Sequence, residues 1–482
     1  MIKPLEWLLS TILPARSEER SGALWSFAYF FCLLGAYYIL QPLRDAMGLK
    51  LGKEYIPSLF RWSLLAMILV NPVFSTMVAR MPRIRFIPLV YRFFIVNLLM
   101  FVLALHGLDL DIVHRLEDSS WGQGIVLIRW LIPAIYYLWV GVFNLFAVSV
   151  FWGLMADVYT SHQGKRLFGF IGAGGTLGQM AGSLVAGQVV EYTGPTNLMI
   201  ISLILLELGV QCMYKLTGFH DFEKHESSQR PQPKEAIPRP STDKPTESPM
   251  TLPGRPDMGP AGKPEGPIAK AETSGVWDGV RAIILSPYLL GICVYMFLYT
   301  FTSSFLYFQR QEIVAMTYDT SSQQVKFFSN VNLVISILTI ITQLFITGRI
   351  MPTIGLIGSL TLVPIVTCIG FGVLGLYPSL LIVAGFEVTR KVLNYAMARP
   401  AREVLYTVVS REEKYKSKSF IDTFVYRSGD ALASGAFDGL KAVFSFSYAG
   451  ISFCAIPFGL LGIGCGTWLG RRQQQMAGPE SS

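Results

Sequence analysis

The chain has 482 residues, 52% hydrophobic and 15% charged, with a formal net charge of +8. A soluble domain keeps roughly 25% charged residues to wet its surface, so this composition excludes an ordinary soluble domain and implies an all-α integral membrane protein. The basic excess is dispersed among short loops rather than gathered in one patch, which excludes nucleic acid as the partner.

Residues 1–21, within "MIKPLEWLLSTILPARSEERSG", read as an amphipathic segment lying on the cytoplasmic face, without the small-residue cleavage site of a signal peptide. Apolar runs of about 20 residues are long enough to cross the hydrocarbon as helices. Twelve follow, at 22–48, 57–79, 86–106, 124–156, 166–190, 195–217, 283–308, 328–349, 355–376, 378–409, 418–441 and 446–468. Base-rich loops alternate with base-poor ones. Arg80, Arg83 and Arg85 fill one, Lys165 and Arg166 another, Arg411, Lys414, Lys416 and Lys418 a third, and Arg471 and Arg472 follow the last run. The loops between are acidic (107–122) or lack base (191–195, 377–378). The positive-inside rule then puts both termini in the cytoplasm, as an even number of spans requires.

Midway, residues 218–274 turn proline-rich ("PQPKEAIPRPSTDKPTESP") and lose both periodicities. A segment so poor in apolar residues cannot pay for folding and is expected to be a disordered cytoplasmic linker. It separates six-helix bundles at 22–217 and 275–470, with 471–482 as a cytoplasmic tail. The halves repeat each other weakly. "VARMPRIRFIPL" pairs with "TGRIMPTIGLIGSL" and matches Arg80 to Arg349. "YILQPLRD" pairs with "FLYFQRQE" and matches Arg44 to Arg310. "ADVYTSHQGKRLFGFI" pairs with "EVLYTVVSREEKYKSKSFI" and matches Tyr159 to Tyr406. Parallel repeats joined by a central linker are the 6+6 plan of major-facilitator transporters.

Several chemistries find no support. GxxxxGK[ST], HExxH and GxSxG are missing. The six cysteines lie singly in apolar runs. No catalytic, cofactor or metal constellation can be assembled, so an enzyme is not expected. "GFIGAGGTLGQMAGSLVAG" looks like a dinucleotide loop, but no strand precedes it. Its Gly174, Gly178 and Gly182, four apart, make one flat helix face for close packing against a neighbour.

The informative residues are charges within the apolar runs, where an ionised group costs at least about 2.5–3.5 kcal/mol and so marks a water-filled path or a paired network. Tyr37, Gln41 and Arg44 share a face of the first span. Arg129, Tyr136 and Asn144 lie on the fourth. Glu387, Lys391 and Asn394 share a face of the tenth, continued by Arg402 with Arg390 beside it. Arg427 and Asp430 on the eleventh are three apart and able to pair. Glu387 with Lys391, and Arg427 with Asp430, also neutralise one another locally, which is the structural alternative. Taken together the bases outnumber the acids. A positive pocket with aromatic faces suits a small anion carrying a flat ring, since arginine grips phosphate bidentately and rings stack on a base. Arg44, Arg390, Lys391 and Arg427 would hold the anion, and Asp430 and Glu387 would exchange partners as the site fills.

The stretch "NYAMARPAREVLYTVVSREEKYKSKSFIDTFVYRSGDALASG", with "FWGLMADVYTSHQGKRLFGFIGAGGTLG" and "YYILQPLRDAMG", resembles the ATP/ADP translocase family of plastids and intracellular bacteria, in particular its bacterial major-facilitator-like relatives. The resemblance covers both halves but not the linker. It implies twelve spans in a bacterial inner membrane, and secondary active exchange or uptake of nucleotides by alternating access. Arg44 falls where the translocases have a functional lysine just before an aspartate, here Asp45, which joins Arg427 and Asp430 as a coupling residue. Arg402 falls at a basic position of the tenth-span motif. Two departures stand out. Near Val140 the chain lacks an acid of the exchangers, and Asp430 stands about where they carry lysine. Both reduce complementarity to an adenine nucleotide and leave other anionic metabolites open. The rival readings are proton-coupled transport through Asp430 or Glu387, and a non-transporting membrane scaffold or receptor. The expected partners are the anion and membrane lipid, and the expected state is a monomer.

Overall fold

The structure, a computed structural model, describes residues 19–81, 83–108, 122–229, 286–409, 421–444 and 448–477. Among these residues the regular elements are helical. In chain order they are α1 (Arg20–Leu51), α2 (Ile56–Arg80), α3 (Arg83–Leu108), α4 (Gly122–Val158) and α5 (Ser161–Gln229). After the middle of the chain come α6 (Pro287–Thr317), α7 (Ser321–Ile341), α8 (Gly348–Leu376), α9 (Leu380–Leu393), α10 (Arg399–Leu405), α11 (Tyr426–Phe444) and α12 (Tyr448–Ala477).

Local sequence explains where these helices start and turn. Ser286, Thr320 and Ser379 each cap a helix by accepting the backbone N–H three residues on. Inside α5, Gly194 takes φ 78° and ψ 164°, a left-handed position glycine tolerates, and Pro195 cannot continue the helix behind it. The chain therefore turns there, and α5 is two arms carrying the expected fifth and sixth spans. Gly355, at φ 66°, breaks α8 in the same way.

Among the described residues, eight helices are long and apolar enough to cross a membrane. One of them is the two-armed α5, so nine of the expected spans are accounted for. Of the other three, the tenth falls short because α9 has 14 residues and the eleventh because α11 has 19 with four charges, whereas α2, the second, is a 25-residue helix whose two charges, Arg61 and Arg80, lie toward its ends. The fold is all-helical and multi-span, but the count of twelve is not reproduced on length and composition alone. The tenth span is divided by a π turn at Asn394–Ala398, and the eleventh carries its four charges within 19 residues.

The hydrophobic core divides by sequence. One cluster is built almost wholly from α1 to α5 and includes Leu33, Tyr91, Phe143 and Met213. Two others are built mainly from α6 to α12, around Phe305 and Phe371 and around Tyr295 and Leu360. The two groups of helices meet where α7 packs on α5 and α1, and where α11 packs on α2. Within the first group, α1 and the leading arm of α5 approach to backbone contact. A Cβ on Gly174 would sit 2.6 Å from the Phe27 carbonyl oxygen. One on Gly178 would collide with the Phe31 carbonyl, and one on Gly182 with that of Gly35. The glycine face read from spacing is a packing face.

Several sequence readings fall outside the described residues: most of the amphipathic N-terminus, the acidic loop 109–121, linker residues 230–274, the basic loop 411–418 and tail residues 478–482. Where the linker was expected to begin, the second arm of α5 instead continues as helix to Gln229.

Candidate functional site

The two groups of helices are tied by a ladder of alternating charges. Asp45 on α1 is buried and accepts from two arginines. Arg44 Nη2 reaches its Oδ1 at 2.8 Å, and Arg310 Nη2, from α6, reaches its Oδ2 at 2.8 Å. The other arm of Arg310 donates to both oxygens of Glu387 on α9, at 2.8 and 3.0 Å. Lys391, one turn on, closes the ladder on Glu387 Oε1 at 2.8 Å. Arg310 and both carboxylates are almost fully buried, at 3%, 2% and 7% side-chain exposure, whereas Arg44 and Lys391 at the two ends keep 17% and 27%. Three bases face two acids, so the ladder carries one positive charge in excess.

Aromatic side chains frame it. Tyr307 OH donates to Asp45 Oδ1 at 2.9 Å and lies 3.0 Å from Tyr137 OH. The Arg44 guanidinium sits over the Tyr137 ring, and that of Arg310 over Tyr307 and Phe328. Such faces stabilise a desolvated cation by up to about 2 kcal/mol. Alongside, Asn332 on α7 donates to Gln41 Oε1 at 3.3 Å. Two further pairs cross between the groups near the surface: Arg61 to Asp438 at 2.6 Å and Lys326 to Glu191 at 2.8 Å.

The structure sorts the sequence-derived residues. Gln41, Arg44, Asp45, Glu387 and Lys391 come together at the crossing, and Tyr37 lies one turn from Gln41, half-buried against Tyr38. Arg427 and Asp430 pair at 3.6 Å, and Asp430 also accepts from the Ser304 hydroxyl at 2.7 Å. Four placements differ from expectation. Tyr136 is sealed in the core with its hydroxyl on the Leu40 carbonyl. Its neighbour Tyr137, rotated about 100° around the helix, is the residue that reaches Arg44. Arg129 donates to the Leu108 carbonyl at the end of α3, away from the ladder. Arg390 is buried inside the second group of helices, bonded to Thr367, Thr302 and the Tyr299 carbonyl, so it holds helices together rather than facing the crossing. Arg402 contacts the Met296 sulfur and the Tyr299 ring. The face expected to run on to Arg402 is interrupted by a π-helical turn at Asn394–Ala398, followed by Pro400, whose missing N–H spoils the regular ladder. Asn394 in that turn is buried and its Oδ1 has no partner among the described residues, and Asn144 is half-buried on α4.

Sequence reading missed Arg310, Tyr307, Tyr137, Asn332 and Ser304. The signal for Arg310 was present: the internal repeat matched it to Arg44, and both now grip the same carboxylate.

Comparison with known proteins places these features in context. Residues 119–415 match the Major Facilitator Superfamily, and residues 3–210 match the TLC ATP/ADP transporter family. ADP,ATP carrier protein 2 of Chlamydia pneumoniae is 22% identical over 94% of this chain and 88% of its own length. ADP,ATP carrier protein 1 of the same organism is 19% identical, over 89% and 86%. Among solved structures, a bacterial homologue of the iron transporter ferroportin in an inward-facing state superposes with a TM-score of 0.59, at 12% identity, covering 94% of this chain and 100% of that one. A D-xylose-proton symporter gives 0.56 at 12%, covering 94% and 97%. The likeness to these two structures is one of fold.

Proposed function

The chain belongs to the Major Facilitator Superfamily of transporters, and we propose on that premise that it moves a phosphate-bearing anion of the nucleotide class. Transport is secondary and non-enzymatic, by alternating access between two six-helix halves, in a bacterial inner membrane with both termini cytoplasmic. The reading of an adenine-nucleotide-like substrate rests on the two carriers aligned along most of their length and on the charge of the site.

The observation that carries the proposal is the Arg44–Asp45–Arg310–Glu387–Lys391 ladder with its excess base. Asp45 and Arg310 belong to different halves, so their bond ties the halves together while the site is empty. A phosphate offers Arg310 the same bidentate oxygen geometry as a carboxylate with more charge. When it displaces Asp45, that tie is released, and Arg44 and Lys391 at the more exposed ends supply further cations. The ligand thus favours a state in which the halves are no longer locked at this crossing, as a population shift requires.

Purified protein in liposomes loaded with ADP, assayed for uptake of labelled ATP, ADP, other nucleotides, sugar phosphates and carboxylates, tests the proposal. Saturable uptake of at least one phosphate-bearing anion, lost in Arg310→Ala, is expected. Absence of protein-dependent flux of every phosphate-bearing anion sinks it.

One observation favours a proton-coupled variant. Asp430 has a longer ion pair than the ladder residues, and the Ser304 hydroxyl that donates to it can turn to accept from a protonated carboxyl. Uptake driven by a pH gradient and lost in Asp430→Asn would mark Asp430 as the coupling group.

A further inference from the structure

On the outer surface of the C-terminal half, α6 and α12 lie side by side and leave a groove of about 900 Å3. Its walls are Leu290, Val294, Leu460, Leu461 and Trp468, and Gly464 opens its floor. At the end formed by the start of α6 and the end of α12, the groove meets a second cavity of about 410 Å3, lined by Ser286, Tyr288, Arg471, Arg472 and Gln475. Pro287 and Trp468 line both, so the two are continuous. The first is apolar throughout. The second presents two exposed arginines, and Arg472 is held by Gln475 at 3.2 Å. Among the described residues neither arginine has a carboxylate partner.

We propose that this groove is a binding site for one anionic phospholipid, with an acyl chain along α6 and α12 and the headgroup phosphate on Arg471 and Arg472. Charge complementarity selects this occupant. The apolar stretch faces where hydrocarbon must lie, and the arginines stand where the last span ends, at headgroup level. Trp468, at the joint and 43% exposed, has the amphipathic ring that settles at a membrane interface. Basic pockets between spans are sites for anionic headgroups because a cation near the surface and the phosphate attract over a short, poorly screened distance. A soluble anion would use the arginines but leave the groove empty, and a second protein copy would fill the groove but gain nothing from the arginines. The site lies outside the charge ladder, so it stands or falls independently of the transported substrate.

Brominated lipids quench tryptophan on contact, which makes Trp468 the probe. The full chain is reconstituted in phosphatidylcholine vesicles containing brominated phosphatidylglycerol or brominated phosphatidylcholine, and the Trp468 signal is taken as the difference from Trp468→Phe. The anionic lipid is expected to quench Trp468 at a mole fraction at least about fivefold lower than the neutral one, since each arginine near the surface favours an anionic headgroup by about that factor. Arg471→Gln with Arg472→Gln should bring the two lipids level while quenching itself persists, which also shows that the variant is folded. Gly464→Leu, where an added Cβ meets nothing within 4 Å, puts a side chain into the groove and should instead weaken quenching by both lipids. Equal quenching by the two lipids in the unmodified protein overturns the proposal. So does the absence of Trp468 quenching, which would mean the groove is covered by protein, and so does loss of the anionic preference on adding inorganic phosphate, which would mean a soluble-anion site.

Discussion

Asp45 is one carboxylate shared by two arginines from different halves of the chain, and its value comes from what surrounds it. Removing one partner of a buried pair costs about 3–5 kcal/mol because the remaining charge keeps its desolvation penalty. Arg310→Ala leaves Asp45 with Arg44 and Glu387 with Lys391, each short of its most buried partner, and should lower thermal stability in detergent more than any other single change in the ladder. Arg310→Lys should restore part of the loss, since an ammonium cannot hold two carboxylates with one planar fork. Equal thermal shifts for the two variants would show that the bidentate geometry is immaterial. Arg427 and Asp430 behave differently, being farther apart and more exposed, at 33% and 14%. Arg427→Gln should cost about 1 kcal/mol or less, as for other solvent-accessible pairs. Asp430→Asn should depress transport more strongly, because it also alters the hydroxyl bond from Ser304. Uptake assays on both variants would reveal whether that order holds. The charges were legible as a set because apolar runs make them conspicuous. Their partners were not, since Asp45 and Arg310 are separated by most of the chain.

At the scale of elements, the clearest agreement is the face of Gly174, Gly178 and Gly182. These glycines meet Phe27, Phe31 and Gly35 on α1, which are also spaced four apart, so two backbones run in contact. Between spans in lipid, small residues gain their advantage through this approach, since no hydrophobic effect drives helices together there. Gly178→Leu should force the helices apart at an overpacking cost of about 1–3 kcal/mol or more. Gly172→Leu, two residues before Gly174 and so on the far side of the helix, where an added Cβ meets nothing within 4 Å, should be tolerated. Comparing monodisperse yield and melting of the two variants checks this; equal behaviour would mean the close approach is dispensable. The tenth span shows the opposite case. Helical spacing projected Glu387 and Arg402 onto one face, but the π turn at Asn394–Ala398 breaks the register. Spacing rules assume an unbroken period, and nothing but Pro400 hinted at the break.

For the whole molecule, the crossing contains ties of unequal strength. Arg61–Asp438 and Lys326–Glu191 are exposed, at 43% and 36% and at 39% and 46%, while Arg310–Asp45 is buried. Exposed pairs contribute about 0–1 kcal/mol and weaken with salt. A cysteine at Gln41, which touches Asn332 of the other half, reports on separation of the halves through its rate of labelling by a water-soluble maleimide. Asp45→Asn should speed that labelling at least about tenfold, whereas Arg61→Ala, or raised salt, should change it less than about fivefold. Equal effects would assign the lock to the surface pairs instead.

The sequence by itself determined that the chain is a helical, multi-span membrane protein, because hydrocarbon demands long apolar helices and those runs are visible locally. Its repeats, its glycine face and the location of its intramembrane charges were likewise local or periodic signals. Only the tertiary structure decided which charges meet. It moved Tyr136 into the core and brought Tyr137 to Arg44, buried Arg390 among Thr367, Thr302 and Tyr299, and set Arg310 between Asp45 and Glu387. A rotation of one residue about a helix exchanges a core position for an interface position, and the packing of whole helices sets that rotation.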